Sequence, residues 1–237
     1  MASERSKALM IGMIGSSSSG AKTSLAFRFA HGEFSENTIA TIGADYFRKN
    51  LELDGMNVPI TLIGLFLQCP EHQLFFSSRI RSPSFFVVFV VDHCSFVRLF
   101  SDCCGQESKK SLILASIKDA GIIIVGFDVA NRRSFEDCTN WLILAEQSKT
   151  TGVVRVTIGV GNKIDLVDER KISTEEARTF FEGMSIPYYE TSARTGEGVQ
   201  KMFEESVRLW LKKNTDRNSN PEINQRKAEN KGKCIVC

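Results

Sequence analysis

The chain has 237 residues, a formal net charge of +2 and 42% hydrophobic residues, which suits one globular domain with a sizeable core. No apolar stretch reaches the roughly 20 residues of a membrane-spanning helix, and the polar opening, residues 1–7, predicts no signal peptide. Seven cysteines without paired spacing predict a reducing compartment and no disulfides. We also expect a monomer without a nucleic-acid partner.

Segments typical of strands and of helices alternate along the chain, which predicts an α/β fold with a mostly parallel sheet and helices on both faces. Asp54-Gly55 between two strand segments predicts a hairpin turn, and Ser173 with Glu176 forms a capping box. The predicted elements are strand 8–14, helix 23–31, strands 46–53 and 58–63, strand 121–128, a helix containing Trp141 and Leu144, strand 153–161, a helix opened by Ser173, and a helix with an apolar stripe at Val199, Met202, Phe203, Val207, Trp210 and Leu211.

The tetrapeptide Asn162-Lys163-Ile164-Asp165 is a chemical filter for one base. The Asp165 carboxylate can accept from two adjacent donors, and guanine presents such a pair in its ring N–H and exocyclic amine, whereas adenine does not. The Asn162 side chain can reach a base acceptor, and the Lys163 stem can lie along the purine face. The motif directly follows a buried-strand segment, so it lies at a strand's C-terminal end, where open α/β sheets bind ligands.

The loop after the first strand predicts a phosphate site. It joins a strand to a helix, which directs backbone N–H groups and the positive helix end at anions. Lys22 is expected on the β- and γ-phosphates, and the Thr23 hydroxyl on Mg²⁺. The loop departs from G-x-x-x-x-G-K-[ST], because one residue too many separates Gly15 from Lys22 and Ala21 replaces a glycine. The expected phosphate contacts are Ser18, Ser19, Gly20, Ala21, Lys22, Thr23 and Ser24.

With these two sites, the sequence resembles a Rab-type small GTPase of the Ras superfamily, within the P-loop NTPases. Residues 34–46, from Phe34 through Thr41 to Tyr46, are similar to that family's first switch. By that resemblance, Thr41 completes the Mg²⁺ shell when the γ-phosphate is bound, and Phe34 packs against the guanine. The resemblance also implies that the sheet has six strands.

Two later segments extend the resemblance. Asp102-Cys-Cys-Gly-Gln-Glu107 is similar to the second switch, whose usual form is D-T-A-G-Q-E. This implies that Asp102 holds a Mg²⁺-bound water, that the Gly105 N–H contacts the γ-phosphate, and that Gln106 orients the attacking water. Thr191-Ser-Ala-Arg194 is similar to the last base-contacting loop, which adds Ser192, Ala193 and Arg194 to the nucleotide site.

The 38 residues from 64 to 101 interrupt the resemblance. Joining residues 58–63 to Asp102 matches the family pattern without a gap, so the Phe-rich block is predicted to be an insertion in a small GTPase domain spanning 7–213. Three interpretations are open: an interaction surface, a membrane-dipping hairpin, or a retained intron. We favour the last, because a long unstructured loop in a compact domain counts against its own assignment.

Residues 214–237 are predicted to form a flexible hypervariable tail, because their polar composition cannot bury a core. The chain closes with Cys234-Ile-Val-Cys237, which fits a C-a-a-X box with an unusual last residue. The two cysteines also resemble Rab tails that carry two prenyl groups. Cys234 and Cys237 are therefore the expected lipidation sites, and two lipid chains anchor firmly where one anchors only marginally.

The resemblance implies a lipid-anchored switch that cycles between GDP-bound and GTP-bound states with Mg²⁺, hydrolyses GTP slowly and regulates vesicle traffic. It implies a location in the cytosol and on the cytoplasmic face of an intracellular membrane. It also implies exchange factors, activating proteins, a dissociation inhibitor and effectors as partners. Two alternatives stay open: a nucleotide-defective interaction module, and an aberrant intron-retaining product. The compartment, the effectors and the hydrolysis rate are not encoded in any recognisable motif.

Overall fold

The computed structural model describes residues 8–16, 21–34, 43–66 and 113–219. Residues 113–117 are helical. The strands are β1 (Leu9–Ile14), β2 (Gly43–Leu53), β3 (Met56–Phe66), β4 (Ile122–Asp128), β5 (Val156–Asn162) and β6 (Tyr188–Thr191). The helices are α1 (Ala21–His31), α2 (Arg132–Glu136), α3 (Cys138–Gln147), α4 (Thr174–Glu182) and α5 (Val199–Ser219).

The strands form one six-stranded sheet in the order β2-β3-β1-β4-β5-β6. Only β2 and β3 pair antiparallel, and every other neighbouring pair of this sheet is parallel. The predicted hairpin turn is confirmed, since Asp54 and Gly55 both have positive φ, at 52° and 79°, as a two-residue type I′ turn requires. The prediction of a mostly parallel α/β sheet is therefore confirmed.

Helices cover both faces of the sheet because the central strands are apolar on both sides. In β4, Ile122 and Ile124 pack in one core with α1 and α5. Ile123, Val125 and Phe127 pack in a second core with side chains of α2, α3 and α4. The predicted stripe on α5 is confirmed, because its buried members lie in the first core and Trp210 and Leu211 pack against it.

Strand β3 ends later than the sequence predicted. The strand was expected to end at residue 63, but residues 64–66 continue β3 and pair with Asp45, Ala44 and Gly43 of β2. Backbone pairing with β2 therefore extends β3 beyond residue 63, where the sequence pattern of the family predicted its end. Residues 67–101, the remainder of the predicted insertion, lie outside the described residues.

The last helix also runs further than expected. Residues 214–219 were assigned to a flexible tail, but they continue α5 to Ser219. Polar contacts stabilise this extension, because Lys213 Nζ donates to the Arg155 carbonyl at 2.9 Å and Arg217 donates to the Gly152 carbonyl. The rest of the tail, including Cys234 and Cys237, lies outside the described residues. Within the described ranges, no helix is long and apolar enough to cross a membrane.

Candidate functional site

The described residues of the predicted phosphate and base motifs follow the carboxyl ends of parallel strands. Strands β2 and β3 lie on one side of β1, and β4, β5 and β6 on the other, so the direction of winding changes between β1 and β4. In open α/β sheets, ligands bind outside the carboxyl ends of the strands at such a switch point. The loops after β1, β5 and β6 carry the phosphate and base motifs, and the sheet order brings them to this edge.

The backbone conformation at Gly15, the first residue after β1, is one that only glycine adopts readily. Gly15 has φ of +148°, and a Cβ at this position would lie 2.2 Å from the carbonyl oxygen of Gly126. Beyond the loop, Lys22 Nζ donates to the carbonyl oxygens of Gly15 at 2.8 Å and Ser16 at 2.7 Å. The lysine therefore reaches back across the loop despite the extra residue.

Lys22 is only 2% exposed, and this burial lowers its pKa to about 8. Ser16 Oγ donates to Asp137 Oδ2 at 2.6 Å, which ties the loop to the start of α3. The motif did not predict Asp137, because it lies 121 residues away in sequence. Of the other predicted phosphate contacts, Ser24 is buried on α1, Ala21 begins that helix, and Ser18, Ser19 and Gly20 lie outside the described residues.

Thr23 carries the observation that bears on a metal ion. Its Oγ1 is buried and has no hydrogen-bond partner among the described residues. An unsatisfied buried hydroxyl costs about 1–3 kcal/mol, and oxygen is the donor type that Mg²⁺ prefers. The residue thus fits its predicted role as a Mg²⁺ ligand. Thr41 and Asp102, the other predicted metal residues, lie outside the described residues, as do Gly105 and Gln106.

Asn162 joins the base motif to the loop after β6. Its Oδ1 accepts from the Ala193 N–H at 3.1 Å and from Thr191 Oγ1 at 3.2 Å, and the residue is 1% exposed. The side-chain oxygen of Asn162 is therefore used to hold the neighbouring loop. Sequence reasoning assigned this side chain to the base alone and did not predict the contact with Thr191.

Asp165 is held by the same neighbouring loop. Ser192 Oγ donates to Asp165 Oδ1 at 2.5 Å and accepts from the Thr195 N–H at 3.1 Å. The carboxylate is thus fixed by a residue that the sequence assigned directly to the nucleotide. Ala193 is buried and Arg194 is exposed.

Lys163 links the ends of two strands. It has a positive φ of 68°, and its Nζ lies 2.6 Å from Oδ2 of Asp128, the last residue of β4. Sequence reasoning missed Asp128, although an acidic residue that ends a buried strand at the ligand edge is a usable signal. Phe34 is half-buried and packs against the core that α1 shares with α5.

A family comparison agrees with this arrangement. A model of the Ras family matches residues 10–65 and 80–212 of the chain. The chain belongs to the Ras family. The unmatched residues 66–79 lie inside the predicted insertion.

Two relatives refine the assignment within the Ras family. Ras-related protein Rab-4 of Dictyostelium discoideum is 27% identical over 201 residues, which cover 85% of this chain and 78% of that protein. Ras-related protein Rab-30 of Homo sapiens is 29% identical over 182 residues, which cover 77% of this chain and 70% of that protein. The chain is a divergent Rab-type small GTPase, which confirms the resemblance. A Ras-family domain implies guanine-nucleotide binding, generally with Mg²⁺.

Proposed function

We propose that this chain is a lipid-anchored switch that binds GDP and GTP with Mg²⁺, hydrolyses GTP slowly and regulates intracellular vesicle traffic. The observation that carries the proposal is the pair of contacts between the two base loops, Ser192 to Asp165 and Ala193 to Asn162. These contacts hold the residues for guanine in place within the protein itself. A preorganised site loses less conformational entropy when its ligand binds.

Base selectivity follows from the Asp165 carboxylate. A carboxylate has about four lone-pair positions on its two oxygens, so it can accept from Ser192 and still accept from a guanine donor pair. Adenine offers no such donor pair, so its binding would cover the half-buried carboxylate without replacing the donors that water supplied, which makes adenine binding unfavourable. Lys163, held against Asp128, lies beside this carboxylate in sequence and is proposed to cover the purine face.

The phosphate half of the proposed site uses the start of α1. Lys22 would hold the β- and γ-phosphates, and Thr23 with Thr41 and Asp102 would hold Mg²⁺. The ion, when bound, supplies neutralisation of phosphate charge. The Gly105 N–H is proposed to contact the γ-phosphate and Gln106 to orient the attacking water. Hydrolysis is expected to be slow, because small positioning errors reduce the rate strongly and the insertion precedes Asp102.

The Rab-type relatives support the cellular part of the proposal. Exchange factors, activating proteins, a dissociation inhibitor and effectors are the proposed partners. Cys234 and Cys237 are the proposed prenylation sites, and the protein would lie on the cytoplasmic face of an intracellular membrane. Mass spectrometry of the C-terminal peptide from cells tests this, because two prenyl groups would appear as added mass on these two residues and an unmodified peptide would contradict the anchor.

A nucleotide-defective interaction module is the second candidate. The extra residue between Gly15 and Lys22, together with Ala21, favours it, because phosphates need close approach to this backbone. Titration of the purified chain with fluorescent GDP in Mg²⁺ separates the two candidates. The switch requires saturable binding that GDP and GTP compete away and ADP does not, with Thr23→Val weakening the Mg²⁺-dependent part. Absence of saturable binding would leave the interaction module.

The insertion has its own test, since the third candidate is an intron-retaining product of a Rab gene. Sequencing of transcripts across codons 63–102 decides it. We expect mature messages that join codon 63 to codon 102. Mature messages that carry codons 64–101 would assign the block to the working protein.

A further inference from the structure

Helix α1 connects the two halves of the proposed nucleotide site. Its first turn carries Lys22 and Thr23 at the phosphate end. Its last turn carries Arg28, whose Nε donates to the Ala193 carbonyl at 2.7 Å and whose Nη2 donates to the Arg194 carbonyl. One rigid element therefore contacts both the phosphate residues and the loop that follows β6. None of the motifs in the sequence includes Arg28.

The remaining contacts of Arg28 involve the segment that follows α1. Its Nη1 donates to the Gly32 carbonyl at 2.7 Å, and its Cζ lies 5.9 Å from the centroid of the Phe34 ring. Phe34 is the residue proposed to pack against guanine. A planar guanidinium presents five donors in a fixed fork, so one side chain can serve all of these acceptors. A lysine in its place could not reproduce the geometry.

We call residues 192–196 the base loop. On its β5 side, the base loop contacts Asn162 and Asp165, the residues proposed to read guanine. On its α1 side, Arg28 holds it through two consecutive carbonyls. Because these acceptors belong to the backbone, the Arg28 contact depends on the position of the base loop and not on its side chains.

We infer that Arg28 is a positioning residue that locks the base loop onto α1 and thereby controls how fast guanine nucleotide leaves the site. This inference rests on the proposed function for its effect on nucleotide, but the locking itself does not depend on bound nucleotide. Charge-assisted hydrogen bonds are about twice as strong as neutral ones, so the base loop moves away from α1 only when these bonds break. Nucleotide release then requires the hydrogen bonds from Arg28 to the Ala193 and Arg194 carbonyls to break.

The kinetic test uses the full-length chain with the variants Arg28→Ala and Arg28→Lys. We expect Arg28→Ala to speed dissociation of fluorescent GDP by about tenfold to hundredfold, from the loss of hydrogen bonds to a charged donor. Arg28→Lys keeps the charge without the fork and should fall in between. Arg132→Ala is the matched control, because the Arg132 guanidinium lies at a similar distance, 5.8 Å, from the Phe135 ring, but its ion pairs are with Glu136 and Glu176 and not with the base loop. Fluorescent GDP should dissociate from Arg132→Ala at the wild-type rate.

Hydrogen exchange tests the locking without any nucleotide. The amides of Ala193, Thr195 and Gly196 all have partners in or beside the base loop, so they report its closure. In nucleotide-free protein, Arg28→Ala should raise exchange there at least tenfold while β4 and β5 keep their protection, with an intermediate value for Arg28→Lys.

Unchanged exchange in the base loop, or an equal rise throughout the sheet, would overturn the inference. If Arg28→Ala does not fold, the same measurements of GDP dissociation and hydrogen exchange on Arg28→Lys decide the inference. Wild-type protein that binds no GDP would refute the proposed function alone, because the exchange result still decides whether Arg28 locks the base loop.

Discussion

Replacement of Asn162 with alanine tests the hydrogen bonds that join the base motif to the loop after β6. The side-chain oxygen of Asn162 is the acceptor for two donors, the Ala193 N–H and the Thr191 hydroxyl. Thr191 can turn to the Gly161 carbonyl, 3.5 Å from its Oγ1. The buried Ala193 N–H loses the acceptor that orients it. The substitution therefore leaves a buried donor unsatisfied and a small cavity behind.

The expected loss of stability is a few kcal/mol. An unsatisfied buried donor costs about 1–3 kcal/mol, and the cavity adds to this, so about 3 kcal/mol is a reasonable sum. For a domain of roughly 150–250 residues, each kcal/mol lowers Tm by about 2–4 °C. Asn162→Ala should thus unfold about 6–12 °C below wild type, and its GDP dissociation should be faster because Ala193 is no longer held.

The assay is thermal unfolding followed by circular dichroism, paired with fluorescent GDP dissociation. Asn162→Asp keeps an acceptor oxygen of the same size and should retain more stability. Asn140→Ala is the second control, because Asn140 is exposed on α3 and surface changes stay within about 0.5 kcal/mol. A Tm for Asn162→Ala within 2 °C of the Asn140→Ala value, as an order-of-magnitude criterion, together with unchanged GDP dissociation, would refute the reasoning.

Three further predictions follow from single residues. Asp165→Asn should weaken GDP binding by roughly 10⁴-fold and favour xanthosine diphosphate, measured by competition; equal loss for both nucleotides would contradict the base filter. The pKa of Lys22 falls from 10.5 to about 8 on folding, so the unfolded chain binds more protons between those pH values. The free energy of unfolding of nucleotide-free wild type, minus that of Lys22→Met, should therefore rise by about 3 kcal/mol across that window in urea titrations; a flat difference would contradict the burial. Gly15→Ala should cost more than about 3 kcal/mol, because strain at positive φ adds to a 2.2 Å approach to Gly126. Gly55→Ala has open space, so it should show only the strain, about 1–3 kcal/mol, in the same denaturation assay; equal losses would show that the close approach is not felt.

Most of the sheet could be predicted from the sequence, because alternation of apolar segments and turn residues is a local property. The hairpin at Asp54-Gly55 and the start of α4 at Ser173 depend on neighbouring residues only, and both are found in the structure. The end of β3 and the end of α5 could not be predicted in this way. Residues 64–66 are strand because β2 pairs with them, and residues 214–219 are helical where Lys213 and Arg217 reach the segment between α3 and β5.

The sequence by itself determined which groups the proposed chemistry would use: an Asp165 carboxylate, proposed to recognise guanine, and a lysine with a neighbouring threonine, Lys22 and Thr23, at a helix start. Only the tertiary structure decided how these groups are held. The Ser192 hydroxyl donates to Asp165 and orients it, and Arg28 donates to the carbonyl of Ala193, which lies 165 residues away in sequence. A motif carries the identity of a functional group, which is local, whereas its orientation comes from donors and acceptors that the sheet order brings together from distant parts of the chain.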